Sequence, residues 1–184
     1  MGSVQLHATI RKLCSLRVTG VLIESRPALD PELAALVTAQ QREIRDIDKG
    51  MNRAVFVPRD DAAYLVAVVN GRAVACGAWQ AVTDDVAELK RMYVRPAFRG
   101  RGIARQMIVA IEEEALAAGR PVIRLETGVY LPAAIALYQS AGYREIPAYG
   151  PYVGNPFSVC FEKRLAALVH PSNHPATALY LTKG

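Results

Sequence analysis

Apolar positions change their period several times along this chain. Short apolar blocks typical of strands occupy residues 16–24 and 63–69. Between them, apolar residues recur at helical intervals from Asp30-Pro31-Glu32 to about residue 48. Asp is a favoured helix cap and Pro a favoured first helical residue, so this tripeptide predicts a helix start. The pattern therefore predicts a strand, a helix and a further strand.

Two turns divide the next part of the chain. Asn70-Gly71 separates the apolar blocks at residues 63–69 and 73–79, and this dipeptide favours the two-residue turn that joins antiparallel strands. A Thr-Asp-Asp turn at residues 83–85 leads into a third apolar block at residues 86–94. Three antiparallel strands in a meander are predicted.

The second half of the chain alternates helix and strand. Helical spacing extends over residues 102–118, where Gly119 ends the helix. The remaining predicted elements are a strand at 122–127, a helix at 132–141, and strands at 144–146 and 158–162. Residues 147–156, rich in Pro and Gly, are expected to lack regular structure. Residues 1–15 and 166–184 show no firm pattern and are predicted to be a flexible leader and a mobile tail.

Composition indicates one α/β domain. The chain has 184 residues, of which 52% are hydrophobic, enough for a sizeable core. It has no apolar run of transmembrane length, and residues 1–15 do not predict a secretory signal. The three cysteines are odd in number and far apart, which favours reduced thiols and a cytoplasmic protein. No His/Cys/Asp cluster has metal-ligand spacing, so no metal site is predicted.

A basic, glycine-rich turn joins the strand at 86–94 to the helix at 102–118. Residues 90–105 contain no acid, although the net charge of the whole chain is only +5. A glycine-rich helix start leaves backbone N–H groups unpaired at the positive end of the helix dipole, where phosphate binds. The alternative is a solvated basic face, which is disfavoured because the basic residues coincide with a glycine-rich turn between a strand and a helix. The six basic residues are Lys90, Arg91, Arg95, Arg99, Arg101 and Arg105.

Three familiar phosphate-binding or nucleic-acid-binding classes do not fit this turn. A P-loop needs Gly-Lys-Ser/Thr after the glycines, and the chain has none there. A dinucleotide fingerprint needs a βαβ unit, whereas this turn follows an antiparallel meander. Aromatic residues are not interleaved with the basic ones as nucleic-acid stacking platforms would be, so no nucleic-acid partner is expected.

The turn resembles the signature of the GNAT superfamily of acyl-CoA N-acetyltransferases, Arg/Gln-x-x-Gly-x-Gly/Ala, at Arg99, Gly102 and Ala104. A second segment at residues 133–143, AAIALYQSAGY, is similar to the family's "ALYxxxGF" helix. The resemblance covers about residues 16–165. It implies an α/β fold with a mixed, mostly antiparallel central sheet and helices on both faces. Leu131 departs from the pattern, because many relatives carry there an Asn that helps to hold the cofactor arm.

The resemblance implies acetyl-CoA as co-substrate. The turn amides and arginines would hold its pyrophosphate, and the edge of the strand at 86–94 would offer backbone groups to the pantetheine arm. Strict alternation is lost between residues 89 and 94, which suggests a β-bulge. The expected cofactor-binding residues are Met92, Tyr93, Val94, Arg99, Gly100, Arg101, Gly102, Ile103, Ala104 and Arg105.

Three residues are candidates for acid–base chemistry. Tyr138 matches the tyrosine of the family's helix and is the expected acid, because a phenol stays protonated at neutral pH. The alternative is a core tyrosine that packs with Ile135 on an amphipathic helix. Glu88 and Glu126 interrupt apolar strands and compete as the base, with an ion pair to a neighbouring Lys or Arg as the alternative for each. A water chain could also serve. Tyr149 and Tyr152 either border the acceptor site or are surface tyrosines of a turn.

The expected activity is transfer of an acetyl group from acetyl-CoA to a primary amine, by direct attack in a ternary complex. Cysteine nucleophiles are not needed for this route. The acceptor is a small-molecule amine or a protein amino group. The alternative is a non-catalytic acyl-CoA sensor on the same fold. Sheet edges often pair in this family, so the resemblance allows a homodimer.

Overall fold

A computed structural model of the chain describes residues 20–48, 59 and 61–165. Its seven strands form one sheet in the order β1-β2-β3-β4-β5-β7-β6. Neighbouring strands are antiparallel except β4 and β5, which are parallel. The elements are β1 (Val21–Arg26), α1 (Pro31–Ile47), β2 (Ala62–Val69), β3 (Arg72–Ala81), β4 (Val86–Val94), α2 (Ile103–Ala117), β5 (Val122–Gly128), α3 (Pro132–Ser140), β6 (Arg144–Ile146) and β7 (Ser158–Arg164).

The predicted fold class and element order are confirmed. The first described strand is Val21–Arg26, and residues 16–19 of the predicted strand lie outside the described residues. Gly150–Tyr152 forms a 3₁₀ turn inside the loop expected to be irregular. Asn70 and Gly71 have φ of 49° and 74°, the positive values that a type I′ hairpin turn requires. The predicted leader at 1–15 and tail at 166–184 lie outside the described residues.

Helices cover both faces of the sheet. Leu33, Leu36 and Val37 of α1 pack on one face, against a buried cluster that includes Tyr64 and Val66 of β2. Helices α2 and α3 pack on the opposite face. Because successive residues of a strand point to opposite faces, β2 and β3 are apolar throughout where both faces are covered. Of the described helices, none is long and apolar enough to cross a membrane.

One part of the α1 face is covered by a loop instead of a helix. Above β4 and β5, the segment between β6 and β7 brings Tyr149 and Tyr152 onto the sheet, where both hydroxyls donate to Glu88. Arg124 lies under the Tyr149 ring, 5.5 Å from its centroid. A loop that supplies hydroxyl groups can satisfy buried charges that an apolar helix face could not. This is where the polar residues of the central strands collect.

Gly77 of β3 lies beneath α2 at a point of close packing. A Cβ atom there would lie 2.7 Å from Ile111 Cδ1 and 2.8 Å from Met92 Sδ. Both atoms are ends of flexible side chains, so we expect Gly77→Ala to change stability little. Gly77→Val adds two methyl groups to the same space and is expected to destabilise by about 1–3 kcal/mol. Urea unfolding measures both; a Gly77→Val variant as stable as the native chain would contradict this packing.

Candidate active site

The turn before α2 is built by two glycines with positive φ. Gly100 and Gly102 have φ of 74° and 75°, and a 3₁₀ turn at Pro96–Phe98 precedes them. Gly102 is the helix cap and supplies no side chain to bond the first amides of α2. The N–H groups at the start of an α-helix have no partner within the helix, so they are left to bind an anion.

Three arginines surround this turn and differ in their partners. The guanidinium of Arg99 pairs with Glu43 at 2.7 Å, and its Nε donates to the carbonyl of Val94. Arg101 and Arg105 instead donate to uncharged oxygens, the first to the Ala97 carbonyl at 3.0 Å. Arg105 donates to Ser140 of α3, at 2.8 Å to its hydroxyl and 3.1 Å to its carbonyl. The positive charge of Arg99 is therefore balanced within the protein, whereas hydrogen bonds to neutral oxygens leave the charges of Arg101 and Arg105 available to an anion.

The central parallel ladder is short. β4 and β5 pair only from Val86↔Val122 to Leu89↔Leu125. Beyond that point β4 continues beside β3, and β5 continues beside β7. The edge of β4 from residue 90 onward therefore faces a gap between two strands that separate, and its backbone groups on that side are not used by β5.

A β-bulge lies at the start of this gap and confirms the bulge predicted between residues 89 and 94. Cys76 pairs with Tyr93 and Ala78 with Lys90, so β4 has one more residue than β3 over this interval. Arg91 within it has a φ of 58°, in the left-handed region that side chains other than Gly rarely adopt. The extra residue turns the local peptide groups out of the regular ladder.

Two side chains donate hydrogen bonds to the carbonyl groups of the bulge. Gln40 Nε2 of α1 donates to the carbonyl of Met92 at 2.8 Å, and Cys76 Sγ donates to that of Arg91 at 3.3 Å. Burial raises the pKa of Cys76 to about 12, so this thiol keeps its proton. Gln40 is only 8% exposed, and within the described part of the chain no group donates to its buried Oε1. Both side chains fix the direction in which the bulge peptides point.

Glu88 is a buried carboxylate held by four neighbours. Tyr149 and Tyr152 donate to its Oε1 at 3.1 and 2.8 Å. Gln80 Nε2 donates to its Oε2 at 3.1 Å, and Lys90 Nζ lies 3.0 Å from the same atom. The ion pair with Lys90 is the alternative role that the sequence left open for Glu88, and the structure forms it together with the two tyrosine contacts.

Glu126 lies on the same face of the sheet, on β5 beside the gap. Ser158 Oγ of β7 donates a short hydrogen bond to its Oε1. Burial raises the pKa of Glu126 above its ordinary value, and the Glu88 charge acts in the same direction. The Ser158 hydrogen bond and the Lys90 charge oppose that shift.

The two loop tyrosines form a pair above these carboxylates. The rings of Tyr149 and Tyr152 meet edge to face, with centroids 5.3 Å apart. Burial raises the pKa of both phenols, and the charge of Glu88 adds to that shift. Both hydroxyls therefore stay protonated and remain donors to Glu88.

Tyr138 lies on the opposite face. It is buried on α3 against Tyr143, whose ring it meets edge to face, and against Phe161 of β7. Burial raises the pKa of Tyr138, and the Glu126 charge adds to the shift. The phenol is thus kept protonated.

The structure brings together Glu88, Glu126, Tyr149 and Tyr152 and places the phosphate turn near the other end of β4. Gln40 and Lys90 were not singled out as site residues from the sequence. The sequence contained a signal for Gln40, because this polar residue lies on the same buried side of α1 as Leu33, Leu36 and Val37. Among the described residues no group of three His, Cys, Asp or Glu could hold a metal ion.

Comparisons with a family profile, with protein sequences and with solved structures all match acetyltransferases or acyltransferases. The profile of the Acetyltransferase (GNAT) family matches residues 30–143. An "IAA acetyltransferase" from Azospirillum brasilense is 38% identical over 138 residues, covering 74% of this chain and 86% of that protein. The match to the N-acetyltransferase YjgM of Escherichia coli, 37% identical, covers 46% of this chain and 52% of that one.

A Klebsiella pneumoniae protein described as an acyl-CoA N-acyltransferase superposes with a TM-score of 0.70 at 32% identity. The superposition covers 79% of this chain and 98% of that one. The family match spans more than half of the sequence and includes α1, the meander, the phosphate turn, β5 and α3. This chain therefore belongs to the GNAT family of acetyltransferases.

Proposed function

We propose that the protein transfers an acetyl group from acetyl-CoA to a primary amine by direct attack of the amine on the thioester. The observation that carries the proposal is the position of Glu88. This buried carboxylate lies on β4 immediately before the point where β4 and β5 separate. Family membership supplies the acetyl-CoA-dependent chemistry, and the residues around the gap supply the roles below.

Coenzyme A fits the chemistry of the gap and of the turn. The unpaired edge of β4 can bond an extended amide-containing arm as another strand would. The uncapped start of α2 suits a pyrophosphate, with Arg101 and Arg105 beside it. The side chain of Leu131 offers no polar atom at the start of α3, so the arm would depend more on the β4 backbone.

The candidate base and acid lie on opposite faces of the sheet. Glu88 points to the loop-covered face, because its neighbours Ala87 and Leu89 belong to the core under α2. Tyr138 belongs to that core. A thioester in the gap would therefore meet a carboxylate on one side and a phenol on the other. Glu88 would take a proton from the attacking amine, and Tyr138 would give one to the departing thiolate.

The acceptor would reach the gap from the loop-covered face, where Tyr149 and Tyr152 shape the entrance. These residues favour a small amine over a bulky one, because they are packed against each other directly above Glu88. A protein amino group at the end of a flexible chain is the other acceptor that this entrance admits.

Removing the Arg105 guanidinium tests the phosphate site. We expect Arg105→Gln to weaken coenzyme A binding by about 10- to 150-fold, because a charge-assisted hydrogen bond contributes about 1.5–3 kcal/mol. The control is Arg164→Gln, which removes the same charge from an exposed position at the end of β7. Calorimetric titration with coenzyme A measures both, and equal affinities of the two variants would count against the site.

Glu88→Gln tests the base. A general base contributes about 10²–10⁴-fold to rate, so we expect kcat to fall within that range while coenzyme A affinity is retained. Tyr138→Phe is expected to lower kcat as well, because it removes the only hydroxyl of that side chain. Thiol release from acetyl-CoA with a panel of amines measures turnover. If Glu88→Gln kept full turnover with its best amine, Glu88 would not be the base.

The buried carboxyl of Glu126 gives a pH-dependent contribution to stability. Its pKa is raised above the ordinary 4.5, so the folded state favours the protonated form. The stability that this group contributes is fully present below its ordinary pKa in the unfolded chain. It is lost as the pH rises through the raised pKa of the folded chain. Glu126→Gln keeps an oxygen for Ser158 and cannot ionise. We therefore expect its unfolding free energy, relative to the native chain, to increase from acidic to neutral pH.

Urea unfolding at a series of pH values checks this expectation. Glu113→Gln, at an exposed position on α2, is the matched control and should show a difference that does not change with pH. A flat difference for Glu126→Gln as well would show that burial of this carboxyl has no such consequence.

A further inference from the structure

The ammonium group of Lys90 lies in a pocket with two kinds of partner, a carboxylate and a phenol hydroxyl. Its Nζ is 3.0 Å from Glu88 Oε2 and 2.9 Å from the hydroxyl oxygen of Tyr152. The centroid of the Tyr152 ring is 5.6 Å away, so Nζ lies beyond the hydroxyl end of that ring. Tyr152 in turn donates its own proton to Glu88. We call the space bounded by Glu88 and Tyr152, and occupied by Lys90 Nζ, the ammonium pocket.

These partners are the groups that recognise a primary ammonium. A carboxylate supplies charge, and a phenol oxygen accepts a hydrogen bond from the ammonium. The Glu88 side chain is 7% exposed and that of Lys90 is 32% exposed. The carboxylate is therefore fixed and buried, whereas the lysine side chain is partly open to solvent and able to leave.

The position of Lys90 in the chain adds a second observation. It is the first residue of β4 beyond Leu89, the last one paired with β5. Its ammonium thus lies beside the carboxylate proposed as the base, at the start of the gap proposed for the thioester. An acceptor amine attacking there would need the place that Lys90 now holds.

We propose that the ammonium pocket is the acceptor subsite and that Lys90 is its resident occupant, displaced when substrate binds. This inference rests on the proposed function and narrows its substrate class. The pocket accommodates the end of a lysine side chain, so it selects an unbranched aliphatic amine in its protonated form. An aromatic amine, uncharged at neutral pH, lacks the charge that Glu88 recognises.

The displaced side chain has a place to go. A cavity of about 220 Å³ adjoins the pocket and is lined in part by Lys90 itself, together with Tyr64, Ala78 and Gln80. The lysine stem can rotate into this space while the carboxylate and the two tyrosines keep their positions. Lys90 would thereby compete with substrate for Glu88 in the free protein.

A second lysine provides a matched control. Lys163 Nζ lies 2.7 Å from Glu112 and 5.5 Å from the Tyr143 ring centroid, so it too pairs with a carboxylate beside a tyrosine. Its side chain is 26% exposed, close to the value for Lys90. Glu112 lies on α2, away from the ammonium pocket.

The experiment is a titration of the full-length protein with n-butylammonium chloride, without coenzyme A, followed by the amide signals of Glu88 and Tyr152 in NMR spectra. Lys90→Met removes the charge and keeps an unbranched side chain. We expect it to bind n-butylammonium about fivefold more tightly than the native chain. In the native chain the partly exposed Lys90–Glu88 ion pair must break before the probe binds, at a cost of up to about 1 kcal/mol, and in the variant this cost is absent. Lys163→Met should bind as the native chain does.

Aniline is the second probe and should shift neither signal in any variant. Lys90→Gln is the second variant, and thermal unfolding confirms that each protein is folded. Unchanged or weaker n-butylammonium binding in both Lys90 variants would overturn the proposal, as would tighter binding in Lys163→Met. Thiol release from acetyl-CoA distinguishes failure of this inference from failure of the proposed function. Turnover with amines but no gain in binding defeats only the occupant role of Lys90, whereas no turnover with any amine defeats the proposed function.

Discussion

The parallel pairing of β4 with β5 ends after Leu89 and Leu125, and the site depends on that limit. β4 gains a residue at the bulge around Arg91, while β5 stays in register with β7 to Gly128. Two strands that follow different partners cannot remain paired with each other. Their separation leaves a stretch of β4 edge that does not pair with β5, and this stretch lies inside the sheet instead of at its outer border.

Charge is distributed around this gap in two separate regions. Glu88 and Glu126 lie on the loop-covered face, where tyrosine and serine hydroxyls satisfy them. Arg101 and Arg105 lie around the start of α2. A co-substrate with anionic phosphates at one end and an electrophile at the other suits this division, because the phosphates are kept away from the carboxylates. The same division lets a cationic acceptor approach from the opposite side.

Local signals in the sequence were enough for most of the fold. Asn70-Gly71 determines the β2–β3 hairpin because its positive φ angles suit few other residues. Asp30 caps α1 by accepting hydrogen bonds from the amides of Glu32 and Leu33, as its sequence position predicted. The loss of strict alternation before Val94 correctly indicated the bulge. In each case the physical cause lies within a few residues of its effect.

Long-range partners could not be predicted in this way. Glu43 neutralises Arg99 from 56 residues away, and Tyr152 reaches Glu88 across 64. The sequence did not distinguish among the three arginines of the turn as partners of the ligand, and the structure separates Arg99 from the other two. Nothing in the residues near Lys90 indicates that its ammonium would share Glu88 with two tyrosines. These contacts follow from the topology, which brings the β6–β7 loop over β4.

The most direct test is a crystal structure of the protein in complex with coenzyme A. The account predicts the pyrophosphate on the amides between Arg99 and Ala104, and the pantetheine arm along the edge of β4 between Lys90 and Val94. Its thiol would end between Glu88 and Tyr138. Coenzyme A bound elsewhere, or an arm that leaves the β4 edge unpaired, would contradict the account.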